Sequence, residues 1–401
     1  MARFSTGGPS IEIESPATRP DDFTYATELM DWWPFAVSAV CAGMLMPLAM
    51  HVRSIGHEDL GVQRLHDVPT SRLGGIVVVV ACAVTTALVL DGGRDVAFPG
   101  LPLLLAAIPV VLFGLAEDLT RKVRPRYRMA AAILSAMAAS AWSGGLVPRL
   151  DLPLIDDLLK HAWLVLPLTC FMVAGACNAI NLVDGAHGLA GGTALIMFGG
   201  IAAAASWSQD AVTLADTLVV MGALAGFLCW NYPAGRVFLG DAGAYFIGFM
   251  YAELSMQLVS RNSGISPWYV IMLAGYPIVD TLFAMYRRRL RHAPLMAPDA
   301  LHFHSLVFRR VALPLERRQG DGSMQHANAR VAPRLWVHSA VCFALAVLFF
   351  NNTPALWVSL AAYTVFYVTR YRDLVLFRSN RAHALAEGMD HSDGVKRPHV
   401  S

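Results

Sequence analysis

The sequence predicts an all-helical chain that crosses a lipid bilayer about eleven times, and three observations lead there. Hydrophobic residues make up 56% of the chain and charged residues only 15%, against about 25% charged in an ordinary soluble domain. The apolar residues gather in tracts of about 20, the length a helix needs to cross roughly 30 Å of hydrocarbon. Between the tracts Lys and Arg are unevenly shared, as expected where basic loops stay on one side of a membrane.

Taken in order, residues 1–32 are polar and, up to about Tyr25, mildly acidic. They lack the basic start and short apolar core of a cleaved signal peptide, so the first apolar tract is expected to be a retained span. The tracts begin near Trp33, Leu73, Leu101, Tyr127, Trp163, Gly188, Val212, Gly240, Pro267, Leu335 and Pro354, bounded by charge, Pro or Gly clusters. Only Asn351, Asn352, Thr353 and Pro354 part the last two, a turn signal inside one long apolar stretch, so a ten-span reading stays open. Residues 33–371 are thus expected to form one multi-span domain, and 372–401 a flexible polar tail. No period of 20–50 residues marks a repeat array. The six cysteines lie in apolar tracts with no CxxC pair and no zinc-like Cys/His spacing, and read as small buried apolar residues.

Alternating the loops between two sides puts 25 of the 31 Lys and Arg on one side and leaves Arg3, Arg19, Arg94, Arg149, Lys160 and Arg261 on the other. The basic side is cytoplasmic by the positive-inside rule, which sets the N-terminus in the periplasm and the C-terminus in the cytoplasm. Every unusual polar cluster falls in a loop, or at a span end, on the basic side. Scattered structural polar residues would not choose one face.

Before the second tract, His66, Asp67, Pro69, Thr70 and Arg72 lead into Gly74-Gly75. Basic groups beside glycines that bare backbone N–H groups suit a phosphate at a helix start, although a basic loop beside lipid headgroups with packing glycines explains them too. At the end of the third tract, Gly114-Leu-Ala-Glu117-Asp118 sets two carboxylates against the negative end of a helix dipole. A bound cation such as Mg²⁺ would relieve this, and so would i,i+4 pairing with Arg121 and Lys122. Between the fifth and sixth tracts, Asn178, Asn181 and Asp184 fall at i, i+3 and i+6, near one helix face, followed by Gly185, His187 and Gly188. A cap built on Asp184 accounts for one residue of that set. Gly240-Asp241-Ala-Gly243 opens the eighth tract, where Asp241 has the alternative of capping the next helix. After the ninth, Arg287, Arg288, Arg289 and Arg291 precede Asp299, His302 and His304. The two-residue His spacing is not one helical face, which argues against a helical zinc pair. Asp280 lies inside the ninth tract, where an intramembrane carboxylate is a functional candidate and a buried hydrogen bond its structural counterpart.

In order and wording, these clusters resemble the polyprenyl-phosphate N-acetylhexosamine-1-phosphate transferase family, which includes the phospho-MurNAc-pentapeptide translocase. The likeness covers roughly residues 33–371: His66 to Gly75 resembles a His/Pro/Arg/Gly-Gly segment and Gly114 to Asp118 a Gly-x-x-Asp-Asp motif. Asn178 to Gly188 resembles Asn-x-x-Asn-x-x-Asp-Gly-x-Asp-Gly, Gly240 to Gly243 a Gly-Asp-x-Gly motif, and Asp299 to His304 a His-rich loop. Three residues depart from the pattern: Glu117 stands where the family usually has Asp, His187 replaces a second Asp, and Ser305 follows His304 where many members have another His.

The resemblance implies a bacterial inner-membrane enzyme with its site facing the cytoplasm. It implies that a sugar-1-phosphate passes from a UDP-N-acetylhexosamine to undecaprenyl phosphate, with UMP released, to begin a surface polysaccharide such as O-antigen. It also implies Mg²⁺, with Mn²⁺ as a substitute, and leaves room for a homodimer. On this reading Asp118 and Asp241 are metal-related carboxylates, and Glu117 positions the acceptor or acts as a modest base. Asn178, Asn181 and Asp184 orient the donor, with His66, Arg72, His187, Asp299, His302 and His304 among the substrate-binding residues. A secondary transporter and an inactive scaffold of the same family are the rival readings. Nothing points to nucleic acid as a partner, since the basic loops face lipid headgroups.

Overall fold

The computed structural model describes residues 32–51, 70–91, 100–292, 301–320 and 323–376. His66 and Asp299, both expected in the site, lie outside these residues. Among the described residues the chain is helical, apart from one isolated parallel bridge between Ser71 and Val237. The long helices are α1 (Trp33–His51), α2 (Gly74–Asp91), α3 (Gly100–Ala106) with α4 (Ile108–Thr120), and α5 (Pro125–Ser143). After the short α6 (Pro153–Leu159) come α7 (Ala162–Val183), α8 (Leu189–Trp207), α9 (Ala211–Asn231) and α10 (Gly240–Arg261). Helix α11 (Pro267–Leu273) runs into α12 (Gly275–Leu290), and the short α13 (Phe303–Val307), α14 (Leu313–Gln319) and α15 (Met324–Ala329) lead to α16 (Val331–Leu348) and α17 (Thr353–Val375).

Among the described residues five helices, or up to seven if each bent pair counts as one, are long and apolar enough to cross a membrane. The α3–α4 pair bends by 46° and the α11–α12 pair by 74°, each just before a proline, Pro109 and Pro277, whose missing N–H interrupts the helical ladder. The turn signal at 351–354 does break the last apolar stretch into α16 and α17, with Asn352 Oδ1 accepting from Ala355 N–H at 3.1 Å as an N-cap.

Lipid gives helices no hydrophobic reason to associate, so close approach at small residues must hold them. A Cβ at Gly222 or Gly226 of α9 would lie 2.2 and 2.4 Å from backbone oxygens of α1, so only glycine admits that contact. Helix α10 is buried along nearly its whole length, packed by α7, α4, α2 and α8. Its neighbours approach through glycines: Gly248 against Cys177, Gly243 against Gly75, and Gly114 against Ala242. Four of the six free cysteines are buried, as expected of small apolar residues.

At one end of the bundle Arg149 ties the α5–α6 connection to α10 and beyond, donating to Asp151 and to the carbonyls of Val259, Ser263 and Ile265. The opposite end gathers the polar clusters.

Candidate active site

The site begins with a short backbone splice. Ser71 pairs with the chain before α10: Phe238 N–H donates to Ser71 O at 2.8 Å, Gly74 N–H to Phe238 O at 3.0 Å and Gly75 N–H to Leu239 O at 2.9 Å. The Gly74 and Gly75 amides, read from sequence as open to a phosphate, are therefore spent on the protein's own backbone. These glycines serve close packing, since a Cβ on Gly75 would fall 2.3 Å from Gly243 Cα.

The splice delivers Gly240 to the centre. Its φ of +72° belongs to the left-handed region that favours glycine, and a Cβ there would meet Arg72 O at 2.3 Å and Asp118 Oδ2 at 2.7 Å. From the end of α4, Asp118 accepts Asp241 N–H on Oδ1 at 2.8 Å and Ala242 N–H on Oδ2 at 2.9 Å. The carboxylate thus satisfies orphan amides at the start of α10 and meets the positive end of its dipole. Asp241 does not cap its own helix; Asp118, from another helix, does. The Glu117 Oε2 accepts Val123 N–H at 2.8 Å, which fixes the turn leading into α5.

Arg128, in the first turn of α5, forms an ion pair with Asp241 and lies 5.8 Å from the Tyr245 ring centroid. Asn181 Nδ2 donates to the other Asp241 oxygen at 2.8 Å. One turn earlier on α7, Asn178 is half-buried. Asp184, just past the end of α7, accepts from Gly240 N–H and feels both Asp118 and Arg72. Loss of solvent pushes its carboxyl up to about 7, the Asp118 charge adds to this, and Arg72 and the Gly240 amide oppose it.

The next residues divide. His304 lies over Gly185, where a Cβ would strike its Nε2 at 2.2 Å, and its ring stacks on that of His302 at 5.6 Å with 3° between planes. Burial, helped by His302 and Arg309, holds the His304 imidazole down at about 4 despite Asp280. His187, by contrast, is built into the packing behind the loop. Its N–H donates to Asn328 Oδ1 at 2.7 Å, its Nδ1 donates to Pro233 O at 3.1 Å, and its ring lies against Gly235 and Phe238. Gly188 N–H donates to Asn231 Oδ1 at 2.6 Å, which ties the loop to the end of α9.

Sequence reasoning passed over Arg128 as one more basic loop residue and did not single out Tyr367 of α17, whose hydroxyl donates to Asp280 Oδ1 at 2.5 Å. It also missed Asp216 and Glu253, carboxyl groups buried away from this centre on α9 and α10.

For a divalent ion the relevant facts are few. No three His, Cys, Asp or Glu residues converge to hold a metal among the described residues, so a closed all-protein site is absent there. What is present is a hard carboxylate, Asp241, already facing a cation in Arg128. Mg²⁺ needs only one or two carboxylates, its shell completed by phosphate oxygens and water, and Asp241 could supply one by yielding its contact with Arg128 or Asn181.

The arrangement brings Arg72, Glu117, Asp118, Arg128, Asn181, Asp184, Asp241 and His304 to one end of the bundle from five separate segments. Alternating anionic and guanidinium groups there can bind a phosphate chain and neutralise charge gathering on it.

Residues 101–259 match the family described as glycosyl transferase family 4. The chain is 30% identical, over 67% of its length and 75% of the relative's, to a probable undecaprenyl-phosphate N-acetylglucosaminyl 1-phosphate transferase of Bacillus subtilis. It is 28% identical to a phospho-N-acetylmuramoyl-pentapeptide-transferase of Desulforudis audaxviator, over 67% of this chain and 86% of that one. It is 38% identical to the same enzyme of Oceanobacillus iheyensis, over 30% and 35% of the two chains.

Proposed function

Because the chain belongs to the polyprenyl-phosphate N-acetylhexosamine-1-phosphate transferases of glycosyl transferase family 4, we propose that it moves N-acetylglucosamine-1-phosphate from UDP-N-acetylglucosamine to undecaprenyl phosphate. The site faces the cytoplasm of a bacterial inner membrane, and the product begins a surface polysaccharide such as O-antigen. The observation that carries this reading is the meeting of Asp118, Asp184, Asp241 and Arg128 around Gly240.

An oxygen of the lipid phosphate attacks the β-phosphorus of the donor, the bond to the bridging oxygen breaks, and UMP leaves with that oxygen. With a second phosphate pKa near 6, the acceptor is already mostly dianionic at neutral pH and needs no strong base. Charge is the obstacle. A bound Mg²⁺, held by Asp241 with Asp118 behind it, would neutralise the diphosphate. The protein's own groups do the rest: Asp118 fixes Asp241, Asn181 orients the same carboxylate, and Arg72, Arg128 and the arginines near His302 meet phosphate oxygens. Glu117, anchored to Val123, sits beside this centre to position the acceptor.

The test is transfer of label from UDP-N-acetylglucosamine labelled in its β-phosphate to undecaprenyl phosphate, in membranes carrying the protein, with and without Mg²⁺. Labelled lipid that needs Mg²⁺ and falls at least about 100-fold in Asp241→Asn is expected, the scale on which removing a preorganised charge-stabilising group acts. Failure with every UDP-amino sugar tried would reject the transferase reading and favour a transporter or an inactive scaffold.

A further inference from the structure

The end of α17 reaches the same face of the bundle by a different route. Tyr363, Tyr367 and Tyr371 recur every four residues and form one buried face of that helix. Tyr367 donates its hydroxyl to Asp280 Oδ1 at 2.5 Å. The other Asp280 oxygen lies 3.6 Å from His302 Nδ1, and His302 Nε2 lies 3.2 Å from an Arg288 guanidinium nitrogen. A guanidinium has donors and no acceptor, so Nε2 must be the acceptor there. The imidazole proton then sits on Nδ1, the side of the Asp280 carboxylate, as in other carboxylate–histidine pairs in which the second nitrogen's partner fixes the tautomer.

Tyr371 completes the support. Its hydroxyl donates to Leu301 O at 3.1 Å, fixing the residue before His302, and its ring lies 5.1 Å under the Arg287 guanidinium. Phe303 fills the space between, 4.9 Å from the Tyr367 ring centroid. His302 stacks on His304, and His304 covers Gly185 beside Asp184. A hydroxyl on the last helix is therefore joined, residue by residue, to an arginine at the end of α12 and to the loop that carries Asp184.

We propose that Tyr367 is a positioning residue: acting through Asp280 and His302, it sets the Arg288 guanidinium to receive an anionic phosphate oxygen, which on the transferase reading above belongs to the donor's diphosphate. His302 does not itself grip the phosphate, because its one acceptor nitrogen is occupied by Arg288 and its proton faces Asp280. The last helix thus belongs to the donor site, not only to the wall of the bundle.

The test uses the purified full-length protein in detergent, reading both transfer kinetics and equilibrium binding of UDP. Tyr367→Phe removes one buried hydrogen bond and is expected to raise the donor KM, and weaken UDP binding, about tenfold, with kcat within about twofold. Arg288→Gln should cost more, and the Tyr367→Phe, Arg288→Gln double variant should be no worse than Arg288→Gln alone, because the two act in series. Tyr363→Phe, one turn earlier on the same face with its hydroxyl on His338, should leave KM unchanged. His302→Gln, which keeps an acceptor for Arg288, should retain more affinity than His302→Ala, and it serves if Tyr367→Phe does not fold. Additive losses in the double variant, or equal losses in His302→Gln and His302→Ala, would overturn the relay while the transferase reading stands. An unmodified protein that neither binds UDP nor transfers label would reject both.

Discussion

A carboxylate at position 187 would face the Pro233 carbonyl with no proton to give. The imidazole there donates from Nδ1 to Pro233 O at 3.1 Å, and burial holds its pKa below the usual histidine range, so it stays neutral in the packing. His187→Asp restores the residue of the resembled motif, yet it is expected to destabilise by about 2 kcal/mol, through an unpaired buried charge and a lost hydrogen bond. Thermal unfolding in detergent checks this; an unchanged midpoint would mean that a carboxylate finds another partner. Asp184 makes the complementary case. Its folded pKa of about 7 stands above the ordinary aspartate value of 3.8, so between those values the folded protein binds more protons than the unfolded chain and stability falls as pH rises. Asp184→Asn removes the cost of keeping that group ionised. Its unfolding midpoint should exceed that of the unmodified protein at pH 8, and the gap should close by pH 4, where Asp184 is protonated in the folded state. A gap that does not vary with pH would contradict the raised pKa.

At the scale of elements, the site depends on how closely α4 and α10 approach. A Cβ at Gly114 would lie 2.5 Å from Ala242 Cα, so Gly114→Val must push α4 away and draw Asp118 off the amides of Asp241 and Ala242. Displacements of about an ångström can cost about 100-fold in rate; Gly114→Val is expected to lose transfer on that scale even where the protein still folds, checked by activity alongside size-exclusion behaviour. Much of this was legible in the sequence. The apolar tracts, the proline starts of α11 and α17 and the turn at 351–354 are local patterns with local causes. The carboxylates drew notice because polar residues beside a membrane are rare and need a reason. The rest was hidden because its cause lies in three dimensions. Gly74 and Gly75 look like a phosphate cradle until their amides are seen bonded to Phe238 and Leu239. Arg128 is one of five basic residues between 118 and 130, and only the fold shows that it is the one facing Asp241. Tyr367 lies 87 residues from Asp280, and no spacing rule joins them.

For the whole molecule, the distribution of charge makes a claim about orientation that the helices alone do not. If the loops alternate as the sequence pattern predicts, the polar site and 25 of the 31 basic residues share one side, and the nucleotide-sugar donor proposed above is a charged cytoplasmic metabolite class that does not cross lipid unaided. Both arguments lead to one prediction, that the Asp118–Asp241 end lies in the cytoplasm and the Arg149 network in the periplasm. Single cysteines at two exposed positions, Lys122 beside the site and Lys160 at the opposite end, read this directly, in a background where Cys229, the exposed native cysteine, is replaced by Ser. Each substitution removes one positive charge, one from each side, so the bias itself is little changed. A membrane-impermeant maleimide is expected to label Lys160→Cys in intact spheroplasts and Lys122→Cys only after permeabilisation. The reverse pattern would turn the site outward, away from the donor pool, and would leave the basic loops on the side that the positive-inside rule forbids.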